Sequence, residues 1–172
     1  MHRAGTVPAS VTRRQEGRVR RAGTMTRTQP PRRPRDTQRL RVYRAHWALD
    51  DHLRARRMGS IEEVREFVDT VVGSRWWRSH VGTARRIRVG DGRGRRSAGS
   101  IGGEIRVPRS SRTIPTILHE LAHEWIRDPA TAVHGPEYAG AFLELVEEFI
   151  GADAAMVLRG AYRQQRVHWL EG

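Results

Sequence analysis

The run Ile114-Pro115-Thr116-Ile117-Leu118-His119-Glu120-Leu121-Ala122-His123-Glu124-Trp125 constrains the fold of this chain more than any other stretch. Ile114, Ile117, Leu118, Leu121, Ala122 and Trp125 recur at helical spacing, which predicts a helix buried over most of its surface. Thr113 suits the N-cap, Pro115 is tolerated in the first turn, and Asp128-Pro129 predicts the end. Polar side chains inside such a helix must be satisfied when buried. His119 and His123 stand four apart, so they share a face one turn apart and can both reach a single ion. Glu120 is offset by one position and can reach a water molecule rather than the ion. This His-Glu-x-x-His spacing is the one used by zinc hydrolases, in which the histidines hold Zn2+ and the glutamate is the general base.

A zinc site with an open position needs a third protein ligand. The chain has no Cys, so that ligand must be His, Asp or Glu. Gly at 126 and His at 129 would complete a metzincin motif; Ile126 and Pro129 exclude it. The favoured candidate is His134, 11 residues past His123 in Val133-His134-Gly135-Pro136-Glu137-Tyr138. Pro136 suits the first turn of another helix, with Tyr138, Phe142, Leu145, Val146 and Phe149 as its core stripe. Glu137 is the competing third ligand, or else an orienting partner for a ligating histidine. Tyr138, Tyr162 and His168 are candidate oxyanion stabilisers, with packing the default role for the tyrosines.

The remaining pattern supplies the scaffold. Leu40, Tyr43, Trp47 and Leu53 predict a first amphipathic helix, on which His46 and His52 are six apart and read as surface or packing residues. Ser60-Ile61-Glu62-Glu63 fits a capping box ahead of a stripe of Val64, Phe67, Val68, Val71 and Val72, with Gly73 as the stop. In Trp76-Trp77 one ring is expected in the core and the other under an arginine stem, a base-stacking role being the alternative. His80 is isolated and carries no assigned role. Residues 86–89 and 104–107 alternate charged and apolar side chains, which predicts an antiparallel strand pair joined by a long turn from Gly90 to Gly103. That Gly-rich run lacks a P-loop's Lys-Ser/Thr ending and the helix behind it. The second strand is the expected edge for pairing with extended substrate. Asp153 is expected to cap a last helix, and residues 167–170 to fold back as a short strand or cover.

Charge is unevenly placed. Residues 1–44 carry 13 Arg against Glu16 and Asp36, a net +11, whereas residues 45–172 carry 19 Arg against 17 acids, a net +2. Every basic residue is Arg, a pattern that fits codon bias in a GC-rich genome better than phosphate binding. Residues 1–36 have almost no large apolar side chains and are expected to be a disordered tail. Residues 1–24 read as an upstream extension of a misassigned start, since Met25 precedes a more typical beginning. The functional alternative is a basic arm that grips nucleic acid non-specifically. No apolar run approaches bilayer length and no signal peptide is legible, so a soluble cytoplasmic protein is expected.

Leu118-His119-Glu120-Leu121-Ala122-His123 with His134-Gly135-Pro136-Glu137-Tyr138 resembles a family from actinobacteria and their phages classed as metallohydrolases. Arg35-Asp36-Thr37-Gln38-Arg39 and Arg41-Val42-Tyr43 resemble that family's usual beginning, and the likeness covers roughly residues 35–169. More distantly, the paired motifs are similar to SprT-type zinc metallopeptidases. That similarity implies His134 as third ligand and Glu120 as general base; the Cys-based DNA-binding module of some SprT-like proteins has no counterpart here. The expectation is an α+β, mainly helical zincin-like domain over residues 37–172, with a small antiparallel sheet before the His-Glu-x-x-His helix. It would be a Zn2+ hydrolase acting on a peptide or protein, the alternative being a nucleic-acid-binding or interaction protein with a structural metal.

Overall fold

A computed structural model describes residues 33–171 apart from 56 and 83–85. The expectations for residues 1–32, the disordered tail and its basic arm, lie outside the described residues. The described residues form one compact unit. It contains helices α1 (Arg39–His52), α2 (Ile61–Gly73) and α3 (Arg75–His80), then strands β1 (Arg88–Asp91), β2 (Gly99–Ile101) and β3 (Glu104–Val107). Helices α4 (Ile114–Trp125), α5 (Pro136–Phe149) and α6 (Ala152–Gln165) follow. No described helix is long and apolar enough to cross a membrane.

Helix α1 buries Val42, Ala45, His46 and Leu49, not the larger stripe expected from Leu40, Tyr43 and Trp47. Leu40 is 55% exposed and Trp47 57%. Helix α1 packs chiefly on α6, whose buried residues are Ala154, Ala155, Leu158, Ala161 and Tyr162, and this docking leaves Val42, Ala45, His46 and Leu49 on its buried side. Helix α2 begins as its sequence predicts. Glu63 N–H donates to Ser60 Oγ (3.0 Å), and Glu63 Oε2 accepts from Gly59 N–H (3.1 Å). Trp77 on α3 is fully buried. Trp76 stacks on His80 at 4.2 Å and meets Trp125 edge-on at 5.3 Å, so its partner is a histidine and not the expected arginine stem.

The sheet corrects the expected antiparallel pair. β1 and β3 are parallel, with Arg88 opposite Glu104 and Asp91 opposite Val107, and the strand order is β1-β3-β2. Gly102 and Gly103, at φ 61° and 84°, make a two-residue hairpin turn that lays β2 antiparallel on β3. That hairpin occupies one edge of β3 and leaves β1 the other. The segment from Gly90 to Gly103 therefore holds a strand as well as a loop. It also makes β3 central, so β2 and not the expected β3 is the edge beside α4.

Helix α4 carries its N-cap at Thr113, whose Oγ1 accepts from Thr116 N–H (3.3 Å), and it stops at Trp125, before Asp128-Pro129. Helix α5 begins at Pro136 as expected. Gly151, at φ 128°, takes the N-cap position of α6 in place of Asp153, which sits in the first turn.

The C-terminal segment is a cover and not a strand. Gln38 Nε2 donates to His168 O and His168 N–H donates to Gln38 Oε1, both at 2.9 Å. Leu170 N–H donates to Pro136 O at 3.1 Å, which brings its own carbonyl against α5. A Cβ at Gly140 would lie 2.2 Å from Leu170 O. Gly140→Ala is therefore expected to lift the segment and lower stability by about 1–3 kcal/mol, read as a fall in the urea midpoint. An unchanged midpoint would show that the cover contributes nothing.

Candidate metal centre

The helical repeat of α4 sets His119 and His123 side by side, with ring centroids 5.0 Å apart. The chain then reverses through a turn in which Asp128 Oδ1 accepts from Ala130 N–H (2.8 Å) and Gly135 N–H closes on Ala132 O (3.1 Å). This delivers His134 at the entry to α5, 5.5 Å from His119 and 4.8 Å from His123 between centroids. One ligand atom from each of the three histidines lies within 4.8 Å of the others, close enough to share a metal ion. Glu137, the competing third ligand, is not part of this group among the described residues.

The residues fit such an ion. His119 is 1% exposed and His134 3%. Each uses Nδ1 on a protein partner: His119 meets His46 Nδ1 at 3.2 Å, and His134 meets Asp36 Oδ2 at 2.7 Å. Their Nε2 atoms are buried and have no hydrogen-bond partner. A buried polar atom left unpaired costs about 1–3 kcal/mol, and a cation would satisfy both at once. Burial pushes all three imidazoles below the usual histidine range, His123 to about 3, and neighbouring histidines add to the effect on His119 and His123. The rings are thus neutral, the form that ligates metal.

Glu120 is buried at the same site. Burial raises its carboxyl to about 7 against the opposing pull of Arg95 and of a backbone hydrogen bond from Ser100. Ser100 also donates its hydroxyl to Glu124, which pairs with Arg127, so the middle residue of β2 is tied to α4 through both its backbone and its side chain. A cavity of about 570 Å3 opens here, lined by Glu120, His123, His134, Tyr43, Arg39 and residues 98–102 among others.

Neither tyrosine expected at an oxyanion faces it. Tyr138 is fully buried and its hydroxyl donates to His119 O (3.2 Å); Tyr162 does the same to Ala139 O (3.2 Å). His168 is engaged through its backbone by Gln38. Tyr43 lines the cavity instead, its ring 5.2 Å from His119 and from His134.

Asp36, Tyr43 and His46 are the site residues that sequence reasoning missed. By composition Asp36 groups with the tail, yet with Arg33 it lines the cavity. By spacing alone His46 shares no face with His52. The available signal was Asp50, one turn along α1, whose Oδ2 lies 3.3 Å from His46 Nε2. Compared with known proteins, the chain matches no family model, no curated protein and no solved structure.

Proposed function

We propose that the protein is a zinc-dependent hydrolase acting on peptides or proteins. The observation that carries this reading is the cluster of His119, His123 and His134 behind an open cavity that His123, His134 and Glu120 line. His119, His123 and His134 would hold the ion, leaving a position for substrate. A bound zinc supplies Lewis acidity to water and to a scissile carbonyl.

Glu120 accepts a proton from the attacking water and delivers it to the leaving amine. The Ser100 backbone hydrogen bond holds its carboxylate at the cavity during both transfers. Asp36 orients His134. A peptide suits the cleft because β2, an edge strand, lines it, with the Ser100 N–H engaged by Glu120, and a sheet edge is where an extended chain can lie.

Purified protein loaded with zinc and dialysed is expected to retain about one zinc per chain, and His119→Ala to retain far less. No retained zinc in the parent, or equal retention in His119→Ala, would sink the proposal.

The +11 charge of residues 1–44 supports a second reading, non-specific nucleic-acid binding through the N-terminal arm. Deletion should stop at residue 32, because Arg33 and Asp36 line the cavity. Loss of salt-sensitive DNA binding on that deletion, with zinc retention unchanged, is the expected outcome.

A further inference from the structure

We infer that His46 and Asp50 form a relay behind the metal centre that sets the tautomer of His119, an inference that rests on the metal reading above. Helix α1 places the two residues one turn apart, facing α4. His46 is 5% exposed, and its Nδ1 lies 3.2 Å from His119 Nδ1. Two ring nitrogens at that distance bond only if one carries hydrogen and the other does not. Which one does is decided at the far side of His46.

There Asp50 Oδ2 lies 3.3 Å from His46 Nε2, of ion-pair length but outside hydrogen-bond geometry, so the carboxylate acts on that nitrogen through its charge. An ionised carboxylate only accepts, so it favours hydrogen on His46 Nε2 and leaves His46 Nδ1 as an acceptor. His119 Nδ1 must then be the donor. Its Nε2 is left with a bare lone pair, and it is one of the buried atoms without a hydrogen-bond partner. The directions agree from the carboxylate to the ligand atom.

Asp50 is itself anchored. Its Oδ1 accepts from the Thr113 hydroxyl at 3.2 Å, and Thr113 is the N-cap of the helix that carries His119. The relay therefore starts and finishes on α4, with α1 supplying the two residues between. His134 has the shorter version, a carboxylate directly on Nδ1. His46 and Asp50 act through His119, so both are positioning residues.

The test uses the full chain loaded with zinc and labelled with 15N-histidine. Long-range 1H–15N spectra are expected to show His46 as the Nε2–H tautomer and His119 as the Nδ1–H tautomer; hydrogen on His46 Nδ1 overturns the relay without any variant. In chelator competition, His46→Phe, which keeps a ring but has no acceptor, is expected to bind zinc about 10–100-fold more weakly. His46→Gln restores an acceptor oxygen and is expected to recover most of that loss, which a role in packing alone does not predict. Parent-like zinc affinity in His46→Phe defeats the relay and leaves the metal centre standing. A parent that binds no zinc defeats the metal centre and the relay with it.

Discussion

Glu120→Gln is expected to hold zinc as the parent does and to lose about 10²–10⁴-fold in turnover, the range for removing a general base. The change is nearly isosteric, and a carboxamide oxygen can still accept the backbone hydrogen bond that Ser100 gives to Glu120. Only proton acceptance is lost. Glu120 lies outside the three-histidine group, so the ion has no reason to leave with it. Hydrolysis of unfolded casein, measured beside zinc content, is a suitable assay. Full activity in the variant would remove Glu120 from the mechanism. Loss of zinc together with activity would show that it contributes to the ion's site instead.

The second large effect concerns stability. A ligand that binds only the folded chain adds about 4 kcal/mol when present at a thousandfold excess over its dissociation constant. For a unit of this size that corresponds to a rise in Tm on the order of 10 °C. Zinc is expected to produce such a rise in the parent and chelator to reverse it. His134→Ala should abolish the zinc-dependent rise, because it removes one of the clustered histidines, whose buried Nε2 has no hydrogen-bond partner. Asp36→Asn should reduce the rise without abolishing it, since the amide keeps a contact to His134 Nδ1 but not the charge. Glu137→Ala should leave the rise intact. A rise that survived His134→Ala and vanished in Glu137→Ala would reverse the assignment of the third ligand.

The same residues show how far a linear pattern reaches. Ser60, Thr113 and Pro136 mark helix starts through local chemistry, and the structure places helices directly after Ser60 and Thr113 and at Pro136 itself. Spacing of four along α4 was enough to pair His119 with His123. His134 could be singled out because a histidine just ahead of a Pro-initiated helix is a distinctive local feature. The parallel β1-β3 pairing was not legible, since alternation identifies a strand without naming its partner or direction. The buried face of α1 was misread for a related reason. Large apolar residues favour burial, but the buried side of α1 is chosen by its docking on α6, which takes Val42, Ala45 and Leu49 in place of Leu40 and Trp47.

What the sequence determined alone is therefore local: helix starts, the one-turn spacing of two histidines, the glutamate beside them, and the candidate that follows. These depend on interactions within a few residues, whose energies do not await the rest of the fold. Tertiary structure decided what surrounds those groups. It brought Asp36 onto His134 across 98 positions and His46 onto His119 across 73. It also turned Tyr138 inward, put Tyr43 at the cavity, and made β2 the edge strand. Contacts between residues so far apart in the chain exist only after helices have packed, and packing is settled by shape and burial over whole faces, which spacing along the chain does not encode.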